Sequence, residues 1–323
     1  MYLSCLLINV GDNPDHEDWR NRNWLRNLYR VHQRLAMAFP SDPRKKGVAD
    51  LLKPYNPADF PDQAPADAIM KGKADVNEER SNQEGFLYRI DYGVPARPNG
   101  ISNASDACPD GLPSRPVILV QSAKPPDWNY AFGLNPDARD PATGRPIGNA
   151  GHLLAAPPEV KFLNIVCGGE GNPSEPPPKV EVPPEVKVVN ITFKNKDLLR
   201  FRLNANPTRR LASGPFNGNR VSVGRGRAAV LAWLWRKAND GGFDLVFEKG
   251  DDNWDPNWRV ETGMVYAWKG REDDEKPKMS FACASIDGLL RITAPDRFRE
   301  TLARGIGPAK AFGFGLLSIA PVR

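Results

Sequence analysis

No hydrophobic run in this chain approaches the ~18–20 residues that a membrane helix needs. The opening stretch, MYLSCLLINV, lacks the basic lead and the small-residue cleavage site of a signal peptide, so it reads as a buried strand that starts the fold. Cysteine is scarce. Cys5, Cys108, Cys167 and Cys283 never pair at metal-ligand spacing, which excludes a zinc site and a disulfide frame and points to a reducing cytoplasm. There are only three histidines, His16, His32 and His152. No G-K-[ST] phosphate loop, no G-x-G-x-x-G, no G-x-S-x-G elbow, no Ser-His-Asp order and no carboxylate pair on a helix stands out. The usual motif-borne chemistries are therefore missing, and so is any implied metal or cofactor.

The 323 residues, 40% apolar and 26% charged, suit a globular protein of two domains. Proline (32) and glycine (28) are abundant, so long irregular connections are expected. The net charge of +5 is unevenly spread: residues 190–323 carry 23 Lys/Arg against 15 Asp/Glu, and residues 1–189 carry 21 against 24. Within 200–227 there are seven arginines (200, 202, 209, 210, 220, 225 and 227) and no acid. Such a block is the electrostatic footprint of a polyanion site or, more blandly, a solvated face balanced elsewhere in space.

Residues 1–9 read as a strand, and 24–39 (WLRNLYRVHQRLAMAF) as one helix with apolar positions at 25, 28, 35 and 39, closed by Pro40. GFLYRIDYGV (85–94), RPVILVQS (115–122) and VKFLNIVC (160–167) read as strands. Residues 123–158 read as loop. VKVVNITF (186–193) and LLRFRLNA (198–205) read as a strand pair around the turn KNKD. RVSV (220–223) is a short strand, 226–239 an amphipathic helix, FDLVFE (243–248) a strand and 250–278 a polar stretch carrying Trp254, Trp258 and Trp268. Residues 279–293 form a strand pair or one long bent strand, Pro295 to Arg304 a short helix and FGLLSIA the last strand. The order strand, helix, strand, strand, helix, strand in the second half, and its beginning in the first, predicts an α+β protein. It would have two tandem ferredoxin-like (RRM-like) domains, antiparallel sheets with helices on one face. The expected boundaries are 1–185 and 186–323, with irregular insertions at about 41–85, 95–114 and 133–183.

Two segments invite chemistry. LYRVH places Tyr29 and His32 at i and i+3 on one helix face, where an imidazole can move a proton and a phenol can donate to an oxyanion. His32 also projects onto the stripe of Leu25, Leu28 and Leu35, so a structural histidine fits the same residues. GIGPAKAFGFGLL carries Gly305, Gly307, Gly313 and Gly315 around Lys310. Glycine admits a phosphate close to the backbone and lysine adds charge, while a tight turn and a kinked strand explain the same pattern. With no nucleophile of its own in view, an enzyme of this composition would borrow one from its substrate. RNA offers its 2′-hydroxyl.

In order along the chain, MYLS, LYRVHQRLAMAFP, ILVQSAKPPDW, FRLNANPTRR, AWLWRKANDGGF and GIGPAKAFGFGLLSIAP resemble the segments of the CasE family, the CRISPR-associated endoribonucleases of type I-E systems. The resemblance runs from residue 1 to 323, and the three insertions depart from the compact family pattern without interrupting these motifs. It implies a metal-independent, cofactor-free nuclease that binds the hairpin of a CRISPR repeat transcript and cuts at the 3′ base of the stem. The 2′-hydroxyl would attack, leaving a 2′,3′-cyclic phosphate and a 5′-hydroxyl. The protein would keep the mature crRNA as a cytoplasmic Cascade subunit beside the backbone subunit, with no membrane partner. It also implies that His32 transfers protons with Tyr29 at the scissile group. Arg209, Arg210, Arg220, Arg225 and Arg227 would grip the stem, and Lys310 and the four glycines would lie against the RNA backbone. A non-catalytic hairpin-binding subunit of the same fold is the alternative, and the presence of Tyr29 and His32 disfavours it.

Overall fold

The computed structural model describes residues 1–9, 19–39, 86–92, 116–133, 151–168, 182–211, 218–247, 257–268 and 279–322. The insertions expected at 41–85 and 95–114, with His16, Cys108 and Trp254, lie outside them.

The chain opens as expected with β1 (Tyr2–Leu7), whose alternate residues Tyr2, Ser4 and Leu6 are buried. Two helices follow where one was predicted, α1 (Trp19–Arg26) and α2 (Leu28–Ala36). Asn27 separates them because its side chain has better partners than a continuous helix would supply. Its Oδ1 accepts from the Tyr29 amide at 3.2 Å, capping α2, and from the Trp268 amide at 3.3 Å. Its Nδ2 donates to the Trp268 carbonyl at 3.0 Å. Next come β2 (Phe86–Asp91) and β3 (Val117–Ser122). Residues 123–158, expected as loop, hold the short helix α3 (Trp128–Phe132), capped by Asp127 and pinned where the Trp128 indole donates to Ser4 Oγ at 3.0 Å. Five residues are too few to show helical periodicity in the sequence. After a 3-10 turn at Gly151–Leu153, the strand expected at 160–167 forms as β4 (Glu159–Cys167) and pairs antiparallel with β1.

The predicted pairing of 186–193 with 198–205 is not formed. β5 (Lys187–Phe193) instead runs parallel to β4, giving a first sheet of order β2-β3-β1-β4-β5. The KNKD turn faces elsewhere: the Lys196 amide donates to the Ile292 carbonyl at 2.7 Å. Two apolar runs flanking a short turn suggest a hairpin, but the open edge of β4 satisfies the β5 backbone instead. Its last residue, Phe193, is nonetheless buried in the second hydrophobic core.

The second sheet runs, from edge to edge, through the strands at 259–267, 279–292, 198–205 and 317–321. β6 (Leu198–Ala205) leads to an arginine-bearing ribbon of β7 (Thr208–Arg210) and β8 (Arg220–Ser222), then to α4 (Arg227–Gly241) and β9 (Phe243–Val246). The polar stretch at 250–278 contains a strand the sequence did not disclose, β10 (Arg259–Ala267), with Arg259, Glu261, Thr262 and Tyr266 exposed to solvent. Trp258 at its start is buried against Phe201, so it packs on protein. β11 (Met279–Ile292) is one strand of 14 residues, pairing with β10, β9 and β6. α5 (Pro295–Arg304) and β12 (Leu317–Pro321) complete the domain. Each domain is thus a strand, helix, strand, strand, helix, strand unit with spatial order 4-1-3-2 inside its sheet, and the tandem ferredoxin-like architecture holds. Among the described residues no helix is long and apolar enough to cross a membrane.

β2 joins the two domains through both of its faces. Tyr88 and Ile90 point into the first core beneath α2. On the opposite face Leu87 meets the end of α5, and Arg89, 3% exposed, forms a two-pronged pair with Asp91 at 2.8 Å. Arg89 also donates to Ser318 Oγ at 2.9 Å and to the Arg202 carbonyl at 3.3 Å, both in the second sheet. Gln121, opposite Leu87, donates to the Leu302 carbonyl at 2.6 Å. Arg89→Met leaves Asp91, Ser318 and the carbonyl without their donor, and is expected to cost about 2–4 kcal/mol. Arg259→Met, which breaks a pair with Glu261 that is more than half exposed at both ends, is expected to cost less than about 1 kcal/mol. Urea denaturation of the two variants measures the difference.

Candidate functional site

The cap on Asn27 fixes where α2 begins, and so where its side chains point. Val31 and Leu35 fill the first core. One step around the helix, Tyr29 and His32 are half-buried at the border between core and surface. The His32 imidazole stacks on Phe86 with centroids 5.3 Å apart and planes at 20°, and lies 6.5 Å from the Tyr88 ring at 23°. Phe86 and Tyr88 alternate on the face of β2 under α2, so the strand supplies a flat aromatic floor that orients the imidazole.

The glycine segment lies on the same floor. From α5 the chain turns at Gly305 and passes through a 3-10 turn at Lys310–Phe312 before entering β12. All four glycines have positive φ, between +70° and +92°, which other residues adopt at a cost. Protein crowds them as well. A Cβ on Gly305 would lie 2.7 Å from the Gly315 carbonyl oxygen and from Leu87, one on Gly307 3.0 Å from the Trp233 ring and one on Gly313 3.1 Å from the Tyr88 ring. The Gly305, Gly313 and Gly315 amides are taken up by Thr301, Lys310 and Asn204 carbonyls. Lys310 stands half-buried on the 3-10 turn, and burial, with Arg304 adding repulsion, holds its pKa below the usual lysine range.

One side chain ties the helix to the loop. The Tyr88 hydroxyl lies 3.0 Å from the Leu28 carbonyl in the first turn of α2 and 3.3 Å from the Ala311 carbonyl beside Lys310. The LYRVH segment and the glycine segment, almost three hundred residues apart in sequence, are thereby neighbours in space.

The arginines divide into two groups. Arg202 belongs to the fold: it pairs with Asp287 at 2.6 Å, and that hydrogen bond raises its pKa. Arg209, Arg210 and Arg220 are exposed on the ribbon, with Arg210 directly opposite Arg220. Like charges so placed repel unless an anion lies over them. Arg225 and Arg227 are exposed at the start of α4, and Arg227 puts a cation at the positive end of that helix. Among the described residues none of these five pairs with a carboxylate. Trp233 on α4 anchors the ribbon through its indole N–H to the Thr208 carbonyl at 3.1 Å, and the same ring meets Gly307. The ribbon is therefore mounted on the glycine loop. Phe86, Tyr88 and Asn27 are the participants sequence reasoning missed. The alternation of FLYRI placed the first two on one face, but nothing local showed what that face would touch.

A family model described as CRISPR associated protein matches residues 174–321. The CRISPR-associated endoribonuclease Cse3 of Thermus thermophilus is 37% identical over 209 residues, covering 64% of this chain and 74% of that protein. Two solved structures share the fold at 24% identity. The CRISPR endoribonuclease Cse3 bound to 19-nt RNA has a TM-score of 0.52, over 99% of this chain and 100% of that chain. Thermus thermophilus Cse3 bound to an RNA representing a pre-cleavage complex has 0.50, over 99% and 98%.

Gly313→Ala forces a side chain into a left-handed backbone against a buried ring. A loss of about 1–3 kcal/mol is expected, measured as a shift in the denaturation midpoint.

Proposed function

The chain belongs to the Cse3 (CasE) family of CRISPR-associated endoribonucleases, and on that premise we propose that it binds the hairpin of a CRISPR repeat transcript and cuts at the 3′ base of the stem without metal. The observation that carries this reading is the meeting of α2, with Tyr29 and His32, and the loop of Lys310, on which the arginine ribbon is mounted.

The nucleophile is the substrate's own 2′-hydroxyl. As it attacks, its proton passes to a base, the new bond to phosphorus closes the 2′,3′-cyclic phosphate, and the bond to the 5′-oxygen breaks. That oxygen leaves with a proton as a 5′-hydroxyl. His32 is the proton-transfer group, with Tyr29 one turn away on the same helix. Charge grows on the non-bridging phosphate oxygens in the transition state. Lys310, desolvated and crowded by Arg304, gains more from that charge than a fully hydrated ammonium would. The ribbon arginines, with Arg225 and Arg227, hold the stem through its phosphates, because the deep major groove of A-form RNA admits few side chains. The four glycines shape the loop that carries Lys310 toward the RNA backbone. After cutting, the product stays bound and enters the Cascade complex.

Cleavage of the cognate repeat RNA in EDTA, beside a copy with 2′-deoxy at the nucleotide before the cut, tests the chemistry. One cut in the first and none in the second is expected; cutting of the deoxy RNA, or a need for metal, overturns it. Hairpin binding with no cut at all favours the non-catalytic subunit. His32→Ala is expected to slow cutting by at least ~10²-fold with binding retained. Reversing charge at Arg209 and Arg210 is expected to weaken binding and to flatten the dependence of log K on log[salt] by roughly 0.7–0.9 for each phosphate no longer neutralised.

A further inference from the structure

Tyr88 is fully buried, so its hydroxyl must be satisfied inside the protein. Two carbonyls from opposite sides of the site share it, Leu28 in the first domain and Ala311 in the second. A phenol has a single proton, and the distances of 3.0 and 3.3 Å describe one donor forked between Leu28 and Ala311. Both acceptors are informative. In α-helical register the Leu28 carbonyl also receives the amide of residue 32, so the hydroxyl grips the turn from which the His32 side chain projects. Ala311 follows Lys310 directly. The ring completes the junction, stacked near the imidazole on one side and against Gly313 on the other.

We propose that Tyr88 is a positioning residue for RNA cleavage, setting the distance between the His32 turn of α2 and the Lys310 loop through its forked hydrogen bond. This rests on the function proposed above. The β2–β3 ladder, in which Tyr88 stands opposite Val120, fixes the backbone from which the ring projects, and the ring itself is fully buried. Burial pushes the phenol's pKa well above its ordinary value, so the group stays protonated and keeps the proton that its hydrogen bond needs. Arg89 holds the second sheet from the other face of the same strand, so the two domains stay docked when the hydroxyl alone is removed. What changes is the fine spacing of two groups that must act on one phosphate, and misplacement near 1 Å costs up to about 10²-fold in rate.

The test is Tyr88→Phe, which keeps the ring and its burial. Single-turnover cleavage of the cognate repeat RNA is followed over a range of protein concentrations, and affinity is measured separately with the uncleavable 2′-deoxy RNA. The amplitude at completion reports the competent fraction of protein, so the rate constant is read independently of any loss of folded molecules. The rate constant at saturating protein is expected to fall by about tenfold or more, with Kd for the deoxy RNA within about twofold of the wild type. A saturating rate within twofold of wild type overturns the proposal. So does a fall seen only as reduced amplitude, or one matched by equally weakened binding, since either marks a structural role alone. If the wild-type protein does not cut, the proposed function fails and this role with it. If the wild type cuts and the variant cuts equally fast, only the role of Tyr88 fails.

Discussion

Strand β2 constrains everything else in this molecule, because period-two alternation gives it two working faces. Toward α2 it offers Phe86 and Tyr88, and toward the second domain Leu87 and Arg89. A strand buried on both sides cannot slip by one residue without exchanging the two sets, which would drive a guanidinium into the helix-side core. The candidate site inherits its precision from that register: the aromatic floor under His32 and the bond to the Lys310 loop are consequences of where β3 holds β2.

The charge of the second half divides along the same lines. Arg202, on β6, has a structural task and a carboxylate, Asp287, as Arg89 has Asp91 in the first half. Among the described residues the ribbon arginines have none, and two of them face each other across a ladder position. A strip of cations held side by side in this way stores electrostatic repulsion that a bound polyanion relieves.

Much of this was legible in the sequence. The tandem strand-helix order, the motif LYRVH and the acid-free arginine block follow from periodicity and composition, which are local properties. The misses are non-local. The break at Asn27 depends on the backbone of Trp268, some 240 residues away, and the partner of β5 depends on an open edge made by β4. β10 hid because an edge strand exposed on one side reads as polar loop. Four glycines around a lysine suggest, from sequence, a place where phosphate can come close. The structure fills that closeness with Leu87, Tyr88 and Trp233, and such packing leaves no local mark in the sequence.

The course of β5 bears on how the two halves are joined. Its backbone belongs to the first sheet, its final residue Phe193 to the second core, and only Lys194 to Asp197 separate it from β6. Those four residues hold no slack: the Lys194 amide is bonded to Asp197 and the Lys196 amide to Ile292. A hinge opening between the domains would have to break hydrogen bonds of the β4–β5 ladder, each worth about 1 kcal/mol, or draw the Phe193 ring out of a core at about 1.5–3 kcal/mol. The connection between the two halves is therefore a tether under tension, which ties any opening to the loss of packing in one half or the other. Strand β5 thus makes the spacing of the two cores a matter of a few residues of chain length, and a change in the length of Lys194–Asp197 would be felt in both.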